Sequence, residues 1–123
     1  MLAHEDLTGK IIGAAIEVHR FLGPGFLESI YEKALCVELK KRNLHHDRQL
    51  TISVFYDGLE IGQHRLDLLV EHQIIVELKA VKALEPVHFA QVRSYLKAAG
   101  LNHGLLLNFA TAKLNIKRVI HTQ

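Results

Sequence analysis

Glu77 and Lys79 stand two positions apart inside "IIVELKAV", residues 74–81, a run apolar enough for the middle of a sheet. Along a strand they share one face, while Val76, Leu78 and Ala80 share the other. The plain reading is an ion pair on a partly solvated face, which is common and weak. Asp67 offers a second reading. It lies in another apolar run, "RLDLLV", and the short polar link of residues 71–73 folds that run back beside the first. Pairing Glu71 near Gln73 brings Asp67 opposite Glu77 to within a residue or two of register. Two carboxylates then converge beside one lysine in an apolar setting. Buried carboxylates lose hydration and repel each other, so such a cluster calls for a cation. Oxygen ligands suit Mg²⁺ or Mn²⁺. Such an ion acidifies water and offsets charge on a phosphate, while a lysine can orient or deprotonate that water or stabilise the transition state. The chemistry these residues fit is phosphodiester hydrolysis. The pattern D…E-x-K is short and recurs by chance, so its weight comes from its placement on adjacent apolar strands.

The elements that must hold these residues follow from periodicity. Ile11, Ile12, Ala15, Ile16, Val18, His19 and Leu22 recur at helical spacing over residues 6–22, with Thr8 or Asp6 as candidate caps. "GPG", residues 23–25, ends that helix, and a second is expected over residues 26–42 on a stripe of Leu27, Ile30, Ala34 and Val37 widened by Tyr31 and Leu35. The period then changes to two. "QLTISVFY" reads as a strand, Asp57-Gly58 as a hairpin turn, "EIGQHRLDLLV" as the return strand and residues 74–81 as a third. Pro86 opens a helix over residues 85–99 that Gly100 closes. "HGLLLNF" is a fourth strand, and "IKRVIH" a fifth on an edge. The order α-α-β-β-β-α-β-β implies an α+β fold with a mixed sheet of four or five strands flanked by helices, in one domain over residues 1–123.

Composition is that of an ordinary globular chain. Of 123 residues, 49% are hydrophobic and 23% charged, which excludes a disordered class. The formal charge of +2 tolerates nucleic acid without announcing it. Cys36 is the single cysteine, so no intrachain disulfide or thiolate zinc cluster is available, and a reduced cytoplasmic setting is expected. His4, Glu5 and Asp6 lead into no long apolar run, so neither a signal peptide nor a membrane span is expected. The nine histidines are scattered, and His45-His46 are adjacent rather than at the spacing of a helical metal pair, so the sequence makes no case for zinc.

Asp67 followed by Glu77-Leu78-Lys79 resembles the PD-(D/E)XK nuclease superfamily, whose restriction-endonuclease-like core, α-β-β-β-α-β, corresponds to residues 26–109. "GFLESIY", residues 25–31, fits G-x-x-E-x-x-Y and resembles the small GxxExxY proteins, as do "VHRFLGPGFLESIYEKAL", "ELKAV", "HFAQVRSYLKAAG" and "GLLLNF". The resemblance implies a nuclease cutting nucleic acid, DNA above RNA, with Mg²⁺ or Mn²⁺ as cofactor. It makes Asp67 and Glu77 metal-binding carboxylates, Lys79 the catalytic lysine and Glu28 a further metal-shell residue. Gln91 and Tyr95 fit Q-h-x-x-Y, where the glutamine lines the site. At i and i+4 they share a helix face, and ordinary core packing is the other reading of Tyr95. The literal proline of the motif is replaced by Leu66. His19 fits the "VH" segment and reads first as a structural histidine, Cys36 as a small buried hydrophobe. Arg65, Lys82, Arg93 and Lys97 could meet phosphate, with surface solvation the other reading. The alternative function is a nuclease-fold module that binds nucleic acid or a protein partner without cutting. A homodimer or partner subunit is expected to supply specificity in so short a chain.

Overall fold

Helical and strand periodicities resolve into α1 (His4–Leu22), α2 (Glu28–Lys41), β1 (His46–Tyr56), β2 (Leu59–Val70), β3 (Ile74–Lys79), α3 (Pro86–Ala99), β4 (His103–Asn108) and β5 (Asn115–Ile120). The computed structural model describes residues 4–123. The strands form one sheet in the order β1-β2-β3-β4-β5, so β1 and β5 are its edges. Neighbours are antiparallel except β3 and β4, which run parallel, and α3 is the crossover that a parallel pair requires.

Alternation along the strands divides the core in two. Ile74, Val76, Leu78, Leu105 and Leu107 face α1 and α2, which bring Leu7, Ile11, Tyr31 and Leu35. Leu66, Ile75, Leu106 and Val119 face α3, which brings Val92, Tyr95 and Leu96. Here α3 approaches closely because Gly104 has no side chain: a Cβ there would lie 2.8 Å from Val92 Cγ1. Among the described residues no helix is long and apolar enough to cross a membrane.

Three local departures from the expected boundaries matter. The second helix begins at Glu28 rather than Phe26, after a turn with Gly23 at φ 71° and Gly25 at φ 111°. Tyr31, fully buried, closes that turn: its hydroxyl donates to the Gly23 carbonyl at 2.6 Å and accepts from the Phe26 amide at 3.1 Å. β1 begins at His46, three residues before "QLTISVFY", and carries Gln49 in the left-handed region at φ 54°. β3 stops at Lys79 rather than Val81. Asn108 ends it, its amide accepting from the Val81 N–H at 3.1 Å and donating to the Val81 carbonyl at 2.8 Å.

The strands differ greatly in length. β2 pairs with β1 from Leu59 to Val70 but with β3 only through Leu68–Val70 against Ile74–Val76. Beyond Leu68 the β1–β2 ribbon parts from β3 and leaves a notch in the sheet.

Candidate active site

Where the two strands part, their amides lose ladder partners, and side chains replace them. The Asp67 N–H donates to Glu77 Oε1 at 3.2 Å, and the Leu78 N–H donates to Asp67 Oδ2 at 2.9 Å. Each carboxylate therefore crosses to the other strand. The paired register ends at Leu68↔Val76, and the two carboxylates bridge the next positions, Asp67 and Glu77. Such reciprocal bonds satisfy amides that would otherwise be orphaned in the core.

Glu77 is only 4% exposed. Burial, and then the charge of Asp67, push its carboxyl up to about 8, and the Asp67 amide and Lys79 offset this only in part. Lys79 does not spend itself on Glu77: its Nζ donates to Gln91 Oε1 at 3.0 Å, tying β3 to α3. One turn further along α3, burial followed by the charges of Glu77 and Asp67 pushes the Tyr95 hydroxyl up to about 12, against the opposing effect of the Gln91 side chain. Glu28 enters from the first turn of α2, at the open rim of the notch. Partial desolvation and then the charge of Asp67 raise its carboxyl, against the pull of Lys79 and the Ala80 amide. Tyr31 sets this position, because it anchors the turn from which α2 starts.

Glu32, four residues after Glu28, is buried and completes the wall. Arg48 Nε donates to Glu32 Oε2 at 2.7 Å and Gln49 Nε2 to Glu32 Oε1 at 2.6 Å. The same Gln49 amide lies 3.5 Å from Asp67 Oδ1. The left-handed backbone at Gln49 thus carries a link from α2 to Asp67. In front lies an open polar cleft of about 480 Å³, bounded by Glu28, Ser29, Glu32, Arg48, Arg65 and Asp67.

The notch gathers Asp67, Glu77, Lys79 and Gln91 from three elements, with Tyr95 on the same helix as Gln91 and Glu28 at the rim beside Asp67. Glu28, Asp67 and Glu77 do not bring three carboxylate oxygens within 4.8 Å of one another. Arg65 lines the cleft, whereas Lys97 lines a separate groove under the ribbon, and Lys82 and Arg93 are exposed. His19 lies elsewhere, its Nε2 bonding the Thr111 carbonyl at 2.9 Å. Cys36 packs half-buried against the core, its thiol pushed up by burial. Sequence reasoning missed the parts played by Glu32, Arg48, Gln49 and Asn108. A polar residue ending the apolar run "GLLLN" was the available signal for Asn108, and i+4 spacing from Glu28 was the signal for Glu32. Nothing in the residue type announces a left-handed glutamine.

A mixed five-stranded sheet between helices, with carboxylates and a lysine at the parting of two strands, defines a restriction-endonuclease-like fold. The family model of the PD-(D/E)XK nuclease superfamily matches residues 5–119, and the chain belongs to that superfamily. The crystal structure of SSO0001 shares the fold, with a TM-score of 0.60 and 16% sequence identity. That likeness covers 77% of this chain and 50% of the other, so this chain spans half of that longer one. Among curated proteins none matches.

Proposed function

We propose that the chain is a metal-dependent nuclease, of the GxxExxY type, that hydrolyses phosphodiester bonds in DNA. The observation that carries this reading is the crossing of Asp67 and Glu77 in the notch, with Lys79 held beside them by Gln91. The donor set fits a hard divalent ion. Glu28, Asp67 and Glu77 offer oxygen only, and burial first, then the charge of Asp67, raises the Glu77 and Glu28 carboxyls, an effect a bound cation would oppose. These three carboxylates would hold Mg²⁺ or Mn²⁺. When bound, the ion supplies a Lewis acid and a charge that offsets the phosphate's. The Lys79 ammonium is fixed by Gln91 Oε1 and can stabilise negative charge growing on phosphate. Gln49, held by Glu32, reaches Asp67 across the cleft, and Arg65 on the same cleft can meet the sugar–phosphate backbone.

The test is direct. Untagged protein is incubated with supercoiled plasmid, single-stranded DNA and RNA, with Mg²⁺, Mn²⁺ or EDTA. Cleavage of DNA with Mn²⁺, absent in EDTA and lost in Asp67→Asn and Lys79→Met, is the expected result. A folded protein that cuts none of these substrates, and whose melting temperature ignores Mn²⁺, would overturn the proposal in favour of a binding module.

A further inference from the structure

At the opposite end of β2 from the hairpin tip, the chain makes a two-residue turn from β2 into β3. Both central residues, Glu71 at φ 53° and His72 at φ 56°, are left-handed, a conformation that such turns ordinarily give to Asn and Gly. The Gln73 N–H donates to the Val70 carbonyl at 3.0 Å and closes the turn. Backbone held in this region persists where its surroundings over-determine it. Glu71 shows how: its carboxylate accepts from the His45 N–H at 2.7 Å, and its own N–H donates to the His45 carbonyl at 2.8 Å. The turn is thereby bolted to the residue just before β1. His72 is thus presented beside His45, their rings stacked with centroids 4.7 Å apart.

Asp47 approaches a ring nitrogen of each imidazole. Its Oδ2 is 3.5 Å from His45 Nε2 and 4.0 Å from His72 Nδ1, and one donor atom from each residue lies within 4.8 Å of the others. In a tetrahedral site with metal–ligand bonds of about 2.0–2.1 Å, neighbouring donors stand roughly 3.3 Å apart. The 3.5 Å separation is close to that of a filled site, the 4.0 Å one is longer and the third lies within 4.8 Å, so binding requires the exposed side chains of His45 and His72 to turn inward. His46 is not part of the set, since its Nδ1 is bonded to the Leu44 carbonyl at 3.1 Å.

We propose that His45, Asp47 and His72 bind one borderline divalent transition ion, Zn²⁺ foremost, and that the ion clamps the β2–β3 turn to the start of β1. Two imidazoles and one carboxylate select Zn²⁺, Co²⁺ or Ni²⁺ over Mg²⁺, which prefers oxygen. Three protein ligands on an open surface leave a fourth position to water. The site is distinct from the carboxylate notch: it sits at the turn before β3, and Glu77 lies three residues further along that strand than Ile74, about 10 Å. Its effect there is indirect, through the register of β2 on β3, which sets Asp67 against Glu77.

The experiment uses untagged protein titrated calorimetrically with ZnCl₂, in wild type, Asp67→Asn, His72→Asn and His45→Ala. One equivalent of Zn²⁺ is expected in wild type and in Asp67→Asn, with affinity falling roughly tenfold or more in each histidine variant. Asparagine tolerates the left-handed backbone at position 72, so the metal-free melting temperature of His72→Asn should match wild type. The visible absorption of a Co²⁺-loaded sample should vanish in the same two variants. No saturable Zn²⁺ binding in wild type overturns the proposal. So does binding that survives in both histidine variants, which would place the ion elsewhere.

Discussion

Glu77 holds its proton well into the neutral range because burial and the Asp67 charge act together. A folded pKa raised from 4.5 to about 8 contributes stability that is complete below 4.5 and lost as pH climbs to about 8. The melting temperature of metal-free protein should therefore fall across that window, by an amount the Glu77→Gln curve lacks. At the upper end Glu77→Gln should melt above wild type in EDTA, and Mn²⁺ should raise wild type alone. A structural ion pair with Lys79 demands the reverse, a variant that melts lower in EDTA and still responds to Mn²⁺. Gln49 gives a second test, since glycine adopts φ 54° freely. Gln49→Gly should leave stability within about 1 kcal/mol of wild type while weakening Mn²⁺ binding, because the amide linking Glu32 to Asp67 is gone. Calorimetry with Mn²⁺ and a chemical melt separate the two effects. Asp67, Glu77 and Lys79 drew notice because charge in an apolar strand needs a reason, and Gln91 because "QVRSY" resembles Q-h-x-x-Y. Gln49 did not, because its role comes from a backbone angle that tertiary contacts impose.

The elements were read from periods of two and 3.6, and most ends fell within a residue or two because glycine, proline and the Asp57-Gly58 turn punctuate them. α3 shows the local signals agreeing: Glu85 caps it, His88 completes a capping box, Pro86 stands in the first turn, and Gly100 ends it at φ 70°. The ends that sequence misplaced are those fixed from a distance. β3 is cut short by Asn108 from a neighbouring strand, and β1 runs on through Gln49, where a polar side chain turned towards α2 breaks the alternation. The seating of α3 on β4 is likewise set by contact, at Gly104. A methyl group there meets Val92 Cγ1 at 2.8 Å and Leu96 Cδ1 at 3.6 Å, both buried. Gly104→Ala should destabilise by about 1–3 kcal/mol in a urea melt, less any gain from a stiffer unfolded chain. Gly62, with open space around its position, is the control, and Gly62→Ala should leave the melt nearly unchanged.

Across the whole molecule, the candidate site draws on residues as far apart as Glu28 and Gln91, so no single segment carries it. The order α-α-β-β-β-α-β-β was legible, but the stripe expected on α2 was misplaced: Leu27, Ile30 and Val37 are exposed, and Tyr31, Leu35 and Leu39 face the core instead. What sequence could not show is the mismatch in strand length, because how far two strands stay paired depends on the geometry of the sheet. That mismatch has a consequence for motion. From Leu68 to Val70, β2 is flanked by strands on both sides, while from Leu59 to Asp67 it belongs to a ribbon of two. Two-stranded ribbons are marginal by themselves, and their hydrogen bonds open without the rest of the domain. Deuterium should therefore enter the amides of residues 59–63 orders of magnitude sooner than those of residues 68–70, within one unbroken strand. A uniform exchange rate along β2 would contradict this. Asp67 sits at the boundary, one residue from the slow-exchanging half, so its carboxylate is steadied from one side while the arm beyond it is free to yield to a bulky polymer.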